Sequence, residues 1–462
     1  MKVLSQLILY ILLSVMAHAS PKIVVVGAGI AGLTAAYRLH QKQCDVHLYE
    51  ARHREGGRIF TAMVDGHPAE FGGQNFLDGG ETVNVRRLID ELHLDVFENT
   101  FPFDAEYYEN DQLTIDHALL KELKFKNLRE ELERLAQRSK NMEEVLLQLL
   151  GEENSLYRYL CMFLEAYEGG PVSKLSPCYI ETLCQLLLGG LSPSHPADEE
   201  DAHIKHMSIK GGNYLLAKKL AESLGARMHK DRALKSVAKN GRGYLLTFNN
   251  GETVAADILV LAIPCSVYED IAFEDGVIPK ERRAAIENVQ YGTPGKILVP
   301  LREIPHSRMQ LQDYAGSFFN PDGHVLNLYL FGEKGRFSKE NLQALYDENS
   351  HLIEIGYEGA VLPPEKPVMA RDELCASYKG PVGHSWQSDP YAKGSYTYVA
   401  AGQEETFTAV QEVEGELVKT LFAPIDGSLF FAGEHASILF EVSGTMEAAC
   451  ESGERTARMI SD

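Results

Sequence analysis

Residues 22–50 read KIVVVGAGIAGLTAAYRLHQKQCDVHLYE, and this stretch decides the fold. Lys22–Val26 is a continuous β-branched run, the pattern of a strand buried on both faces. It turns through Gly27-Ala28-Gly29-Ile30-Ala31-Gly32 into a helical stretch, Leu33 to His40, and a second strand follows at Val46–Glu50. Strand, helix and strand within about thirty residues predict a right-handed βαβ unit. Each glycine has its own mechanical reason. Gly27 permits the tight turn, Gly29 lets the backbone approach a pyrophosphate, and Gly32 lets helix and strand pack closely. The helix N-terminus then offers free N–H groups and a positive dipole end to phosphate. Glu50 closes the second strand, 18 residues past Gly32, where an acid bonds a ribose hydroxyl pair. The prediction is a dinucleotide site.

The rest of the chain supplies context. At 462 residues it exceeds a single-core domain, and 45% hydrophobic with 24% charged residues is the balance of an ordinary soluble protein. Lys+Arg 44 against Asp+Glu 66 gives a formal charge of −22, a surface that repels phosphate backbones, so nucleic acid is not expected as a partner. Lys2 followed by the uncharged run Val3–Ala17 and Ala17-His18-Ala19 predicts a secretory signal at 1–19 and an exported, periplasmic or secreted protein. An uncleaved signal acting as membrane anchor is the alternative; the run is too short for a spanning helix, so no stable membrane insertion is expected. Seven cysteines, without a Cys-x-x-Cys, support neither a disulfide scaffold nor a zinc knuckle.

From Asp116 to Gly170 the pattern is helical, with Leu128, Leu132 and Leu135 on one face and Met142, Val145, Leu146 and Leu149 on another. Ser192–Pro196 with Asp198–Asp201 predicts an exposed linker, and His203 and His206 beside it are read as part of a solvated loop rather than a metal site; no metal is expected. Gly211-Gly212 opens a helix to about Leu224. Three short strands then turn at Asn240-Gly241 and Asn249-Asn250-Gly251. Buried strands are predicted at Ile258–Ile263 and Leu429–Ala432, and a final helix at Thr445–Ile460.

These residues resemble the flavin-containing amine oxidases, the monoamine and polyamine oxidase family. The matching stretches are Val25–Leu33, Tyr49-Glu-Ala-Arg52, Glu55-Gly-Gly-Arg58 and Glu70-Phe-Gly-Gly-Gln74. They continue at Gly211-Gly212, Leu234 and Ala262-Ile-Pro264, and close at Trp386–Tyr396, Phe431–His435 and Ser443–Ala448. The resemblance implies an α/β fold, a Rossmann-like FAD-binding domain with an inserted α+β substrate-binding domain. Residues 20–80, 207–291 and 388–462 would form the first, and 81–206 with 292–387 the second. It implies bound FAD, with Gly27, Gly29, Ile30, Ala31 and Gly32 at the pyrophosphate, Glu50, Ala51 and Arg52 near the adenosine, and Gly57 and Arg58 beside the phosphates. Gly72, Gly73, Gln74, Ala262, Pro264, Gly433 and Glu434 would complete the cofactor site, with Leu234 at the adenine and Thr445 and Met446 facing the flavin pyrimidine ring.

The implied activity is oxidation of a small-molecule amine: hydride passes from the α-carbon to flavin N5, an imine leaves, and O2 reoxidises the flavin to H2O2. Lys296, by itself an ordinary strand-edge lysine, matches the family's lysine that holds a water at N5. Tyr396 matches the active-site tyrosine. Trp386, Asn75, Phe76 and Thr445 are the remaining substrate-binding candidates. Two departures stand out. Ser395 takes the place of the cysteine that carries flavin covalently in monoamine oxidases, so non-covalent FAD is expected; Thr445 takes the place of the second cage tyrosine. No arginine follows Gly72-Gly73, which speaks against a free α-amino acid as substrate. Two other readings share the front motif: a flavin desaturase or porphyrinogen-type oxidase, and a non-enzymatic carrier of the same fold.

Overall fold

The structure is a computed structural model describing residues 20–78, 82–99, 105–116, 127–152, 154–188, 205–301, 309–320, 323–357, 361–440 and 442–461. The signal predicted at 1–19, the linker at 192–201 and His203 lie outside the described residues.

Its centre is a parallel five-stranded sheet assembled from three distant parts of the chain. Strand β1 (Lys22–Val26), helix α1 (Ile30–Gln41) and β2 (Asp45–Tyr49) form the predicted βαβ unit. Strands β3 (Met228–His229), β4 (Ile258–Leu261) and β5 (Leu429–Phe431) complete the order β3-β2-β1-β4-β5. Register is parallel throughout, Val24 lying opposite His47 on one side and Leu259 on the other. The β-branched run does what its composition demands. Ile23 and Val25 enter the core cluster under α1, while Val24 and Val26 enter the opposite one with Tyr244, Leu246 and Phe248. Each such side chain contributes about 1.5–3 kcal/mol by leaving water. The terminal helix α2 (Met446–Ser461) packs on α1: a Cβ at Gly453 would stand 2.5 Å from the Ala31 carbonyl oxygen, so no bulkier residue permits this approach.

The three predicted meander strands form at Leu234–Asn240, Gly243–Phe248 and Thr253–Ala256, with a fourth strand, Ala272–Phe273, added. A separate eight-stranded mixed sheet joins Ala105–Glu109 and Gln112–Ile115 to six strands lying between Gly295 and Ser385, and Gly295–Pro300 runs inside it. Three helices stack beside it: Leu128–Ala136, Met142–Leu150 and Ser155–Glu168. Their predicted apolar faces are buried, with Leu149 only partly so.

One expectation fails here. His206 belongs to a strand, Lys205–Ile209, and is buried there rather than solvated in a loop. This strand pairs with Phe76–Asp78 and Val96–Glu98, and tertiary pairing overrides the acidic run beside it. Among the described residues no group of three or more His, Cys, Asp or Glu could hold a metal ion, and no helix is long and apolar enough to cross a membrane. All seven cysteines are free thiols.

Candidate active site

The site forms where the carboxyl ends of β1, β4 and β5 meet α1, and its construction starts at the glycines. Gly27 sits at φ +105°, and its amide donates to the Tyr49 carbonyl at 2.8 Å. A Cβ there would meet the Ala262 carbonyl oxygen at 2.4 Å. A Cβ at Gly32 would stand 2.0 Å from the Gly27 oxygen and 2.9 Å from the Ala262 Cβ. Gly29 is the opposite case, since a Cβ there meets nothing within 4 Å. The turn is closed at the two glycines that pack and open at the one assigned to approach phosphate. Gly56 bridges over it, its amide donating to the Ala28 carbonyl at 2.8 Å, and Gly57 comes within 3.1 Å of the Gly29 Cα when given a Cβ.

Glu50 ends β2 beneath this turn. Its carboxylate accepts from the Ala28 amide at 2.6 Å and the Arg52 amide at 2.9 Å. Burial raises its pKa against the pull of these two bonds. The Arg52 guanidinium turns the other way, into an ion-pair cluster with Asp389 and Asp372. Its charge is therefore engaged within the protein. Leu234 starts the neighbouring meander strand, and Pro264 follows Ala262 into a short turn of helix.

Arg58 links this turn to the distant end of the chain. Nη1 donates to the Ser395 carbonyl and to Glu434 Oε1 at 2.9 Å, and 25% of the side chain stays exposed. Glu434 Oε2 accepts from Thr397 Oγ1 at 2.6 Å. Burial alone would raise the Glu434 carboxyl, but Arg58, His435 and these hydrogen bonds outweigh it and hold it below the usual range. Gly433, at φ +152°, leaves room for the His435 ring, which a Cβ would strike at 2.2 Å. Met446 opens α2 and packs on Gly73, and Thr445 Oγ1 accepts from the Ala448 amide at 3.3 Å as its cap.

Lys296 enters from the eight-stranded sheet. Its ammonium donates to the Glu70 carbonyl at 2.9 Å, Gln74 Oε1 at 3.2 Å and the Gly72 carbonyl at 3.4 Å. Burial pushes its pKa down to about 8, with Glu70 opposing. The Glu70 carboxyl is itself pushed up to about 7 by burial, against hydrogen bonds from Asn213 and Thr61 and the attraction of Lys296. A lysine and a glutamate, both titrating near neutrality, therefore lie beside the Gly72-Gly73 turn.

Tyr396 closes the site on the other side. Its hydroxyl bonds the Ala166 and Tyr167 carbonyls, both at 3.1 Å, and Tyr329 OH at 3.3 Å. Its ring rests on Gly169 and Gly444, which brings Tyr396 beside the segment leading to Thr445. Trp386 does not join them. Its indole is 3% exposed, donates to the Phe71 carbonyl at 3.1 Å and packs on Phe60 and His384, one layer behind Gly72. The expected cage wall is thus a core residue. Phe76 is likewise core, packed with Val85, Leu88 and Met207, while Asn75 is half-buried and accepts from Asn99 at 3.2 Å.

Three residues that the motifs did not single out lie on or beside the helix whose Ala166 and Tyr167 carbonyls meet Tyr396. Tyr167 is 48% exposed, with its ring stacked on Phe163 and its carbonyl accepting from the Tyr396 hydroxyl. Glu165 and Glu168 stand one turn apart on the same helix, and burial pushes each carboxyl up to about 7. Glu168 accepts from Thr182 Oγ1 at 2.6 Å, and neither acid has a basic partner among the described residues. An acid pair spaced i, i+3 just before Gly169-Gly170 is the one signal in the sequence that could have marked them.

The residues present fit a flavin dinucleotide. The open face at Gly29 is a cradle that a Cβ would fill, the Arg58 side chain is partly exposed, and among the motif residues Ser395 Oγ and Gln74 Nε2 are buried without a hydrogen-bond partner. Known proteins agree with this. The solved structure of a putrescine oxidase mutant, redesigned in its cofactor binding, superposes with a TM-score of 0.71 at 18% identity, over 96% of this chain and 98% of that one. Cyclohexylamine oxidase from Brevibacterium oxydans gives 0.69 at 18%, over 96% and 99%. Among curated sequences, polyamine oxidase 4 of Oryza sativa subsp. japonica is 24% identical over 94% of this chain and 87% of its own length. Lysine-specific histone demethylase 1 homolog 2 of Arabidopsis thaliana is 27% identical over 95% of this chain and 58% of its own. The family model for flavin containing amine oxidoreductases matches residues 30–461. The chain belongs to the flavin-containing amine oxidoreductase family, and its cofactor is FAD.

Proposed function

We propose that the protein oxidises a small amine carrying a second cationic centre, a diamine or polyamine, with O2 as acceptor. When bound, FAD supplies the redox chemistry, taking hydride from the amine α-carbon and passing the electron pair to O2 to give H2O2. The chain's residues bind, orient and manage protons. Gly29, Gly57 and Arg58 would hold the pyrophosphate, Glu50 the ribose, and Met446 at the α2 N-terminus the pyrimidine ring. Tyr396 and Tyr167 wall the space into which the amine enters. An alkyl ammonium with a pKa near ~10 must lose its proton before its α-carbon can give up hydride, and partial desolvation there lowers that pKa.

The single observation behind the second cationic centre is the pair Glu165 and Glu168. Glu165 is buried and Glu168 half-buried, neither has a basic partner among the described residues, and both stand at the negative end of the Ser155–Glu168 helix, which suits a cation. Polyamine and putrescine oxidases among the relatives support the same class. Since a charge-assisted hydrogen bond is worth about 1.5–3 kcal/mol, Glu168→Gln should raise KM for a diamine by about ten- to a hundred-fold and leave a monoamine of equal length little changed. The sign with pH follows. Below about 7 both carboxyls gain protons, so diamine affinity should fall as pH drops through neutrality. Equal KM changes for monoamine and diamine in Glu168→Gln would reject the assignment.

The cofactor is held without a covalent bond, because the hydroxyl of Ser395 cannot form the thioether that a cysteine could. Acid precipitation of the purified protein should leave all flavin in the supernatant. Yellow colour in the pellet would contradict this.

A further inference from the structure

Gln74 follows the Gly72-Gly73 turn and is 8% exposed. Its main chain is fixed, because its carbonyl accepts from Asn213 Nδ2 at 2.9 Å and Ser208 Oγ at 3.1 Å. Its side chain is engaged on one side only. Oε1 receives Lys296 Nζ at 3.2 Å, while Nε2 is buried with no acceptor. Among the described residues every hydrogen-bond partner of the lysine is an acceptor: the Glu70 carbonyl, the Gly72 carbonyl and Gln74 Oε1. That set suits an ammonium with three N–H groups. A neutral amine has two and a lone pair, and would leave one acceptor facing that lone pair. Two of the acceptors are main-chain carbonyls that cannot adapt. The third is a carboxamide, which after half a turn about its last torsion presents N–H where it presented oxygen, in the same volume.

We propose that Gln74 is the positioning residue of Lys296: its carboxamide turns over as the lysine loses its proton, offering oxygen to the ammonium and N–H to the amine, and so keeps Nζ in place in both states. The idea rests on the reading of Lys296 as the residue that moves a proton during amine oxidation. The titratable groups around the lysine are few. Glu70 faces it from its own strand, Tyr329 and His384 lie opposite it in register on the two neighbouring strands, and Phe318 contributes only a ring face, its centroid 5.9 Å from Nζ.

The test is made on the holoenzyme and reads the absorption band of resting, oxidised FAD as pH is titrated, a signal that needs no turnover. Wild type should show a one-proton transition near pH 8 that is absent in Lys296→Met. In Gln74→Glu, an acceptor in every orientation, the midpoint should rise by about one pH unit or more, a ten-fold gain in proton affinity. In Gln74→Met, which removes support from both states together, the midpoint should stay within about half a unit, while flavin reduction at saturating amine slows about ten-fold with KM unchanged. FAD content and melting temperature certify that each variant is folded. A midpoint that drops by a full unit in Gln74→Met would show a fixed acceptor and overturn the proposed rotation. An unchanged reduction rate would overturn the positioning role. A transition that persists in Lys296→Met would place the proton elsewhere and remove the underlying reading of Lys296, separately from Gln74.

Discussion

Gly32→Ala yields a protein that no longer retains FAD. The added methyl would lie 2.0 Å from the Gly27 carbonyl oxygen and 2.9 Å from the Ala262 Cβ, and neither neighbour is a flexible side-chain end. Gly27 is tied through its amide to Tyr49, and Ala262 through its amide to Val26, so both are part of the sheet's own hydrogen bonding. The strain is relieved only if α1 moves off β1, and that displaces the first-turn N–H groups on which the phosphate site depends. Overpacking of this kind costs about 1–3 kcal/mol, a large share of a typical total of about 5–15 kcal/mol, and loss of the ligand removes its mass-action stabilisation as well. Gly29→Ala separates the two effects. Its φ is −66° and the space around it is open, so the apoprotein should melt where wild type does, while the methyl occupies the cradle and weakens FAD binding. Flavin content after purification and the melting temperature of deflavinated protein check both variants. A Gly32→Ala protein with full flavin content would show that the turn is not built as described.

The contrast between those glycines was legible in the sequence, because the spacing of three glycines between a β-branched run and a helix states a mechanical requirement that the chain must meet locally. The same holds for Glu50, which lies under the turn because the second strand must run parallel to the first. The terminal helix and the meander turns were legible for similar reasons, as capping and turn residues act within a few positions. What failed was non-local. Trp386 and Phe76 are large aromatic residues next to motif residues, and nothing in the sequence says whether such a ring faces a cavity or the core behind it; here burial of their apolar area decided for the core. Arg52 offers a charge in the motif, but Asp372 and Asp389, far along the chain, claim it. Glu165 and Glu168 went unnoticed because a charged pair on an amphipathic helix ordinarily faces water, and only the docking of that helix on Tyr396 and Tyr329 takes them out of it. The eight-stranded sheet combines two segments widely separated in sequence, which no local pattern announces.

Lys296→Met keeps FAD and loses about 10²–10⁴ of the rate, the span ordinarily carried by one positioned proton-transfer group. The lysine lies in a strand, Gly295–Pro300, whose six residues are all buried, and among the described residues its Nζ donates to main-chain carbonyls and Gln74. Methionine is unbranched, fills the same channel and brings no charge, so the sheet should be undisturbed. The linkage sign supports this. Burial lowers the lysine's folded pKa to about 8 from 10.5, so the unfolded chain holds the proton more tightly between those values, and stability attributable to this group rises as pH rises through that window. Below it, the folded protein bears the cost of a buried ammonium. Removing that charge should therefore leave the melting temperature at neutral pH no lower than that of wild type, and a rate loss cannot be assigned to unfolding. The pH profile gives the sharper check. If the neutral amine of Lys296 is the active form, flavin reduction at saturating substrate rises with pH through about 8 in wild type, and this limb disappears in Lys296→Met. Glu70, pushed up to about 7 and attracted to the same ammonium, titrates with it, so the limb belongs to the pair, and Glu70→Gln should move it to lower pH by removing the opposing charge. Stopped-flow reduction under argon across that pH range measures all three. A Lys296→Met enzyme with wild-type rates and an unaltered limb would take Lys296 out of the chemistry and leave it a structural residue of the sheet.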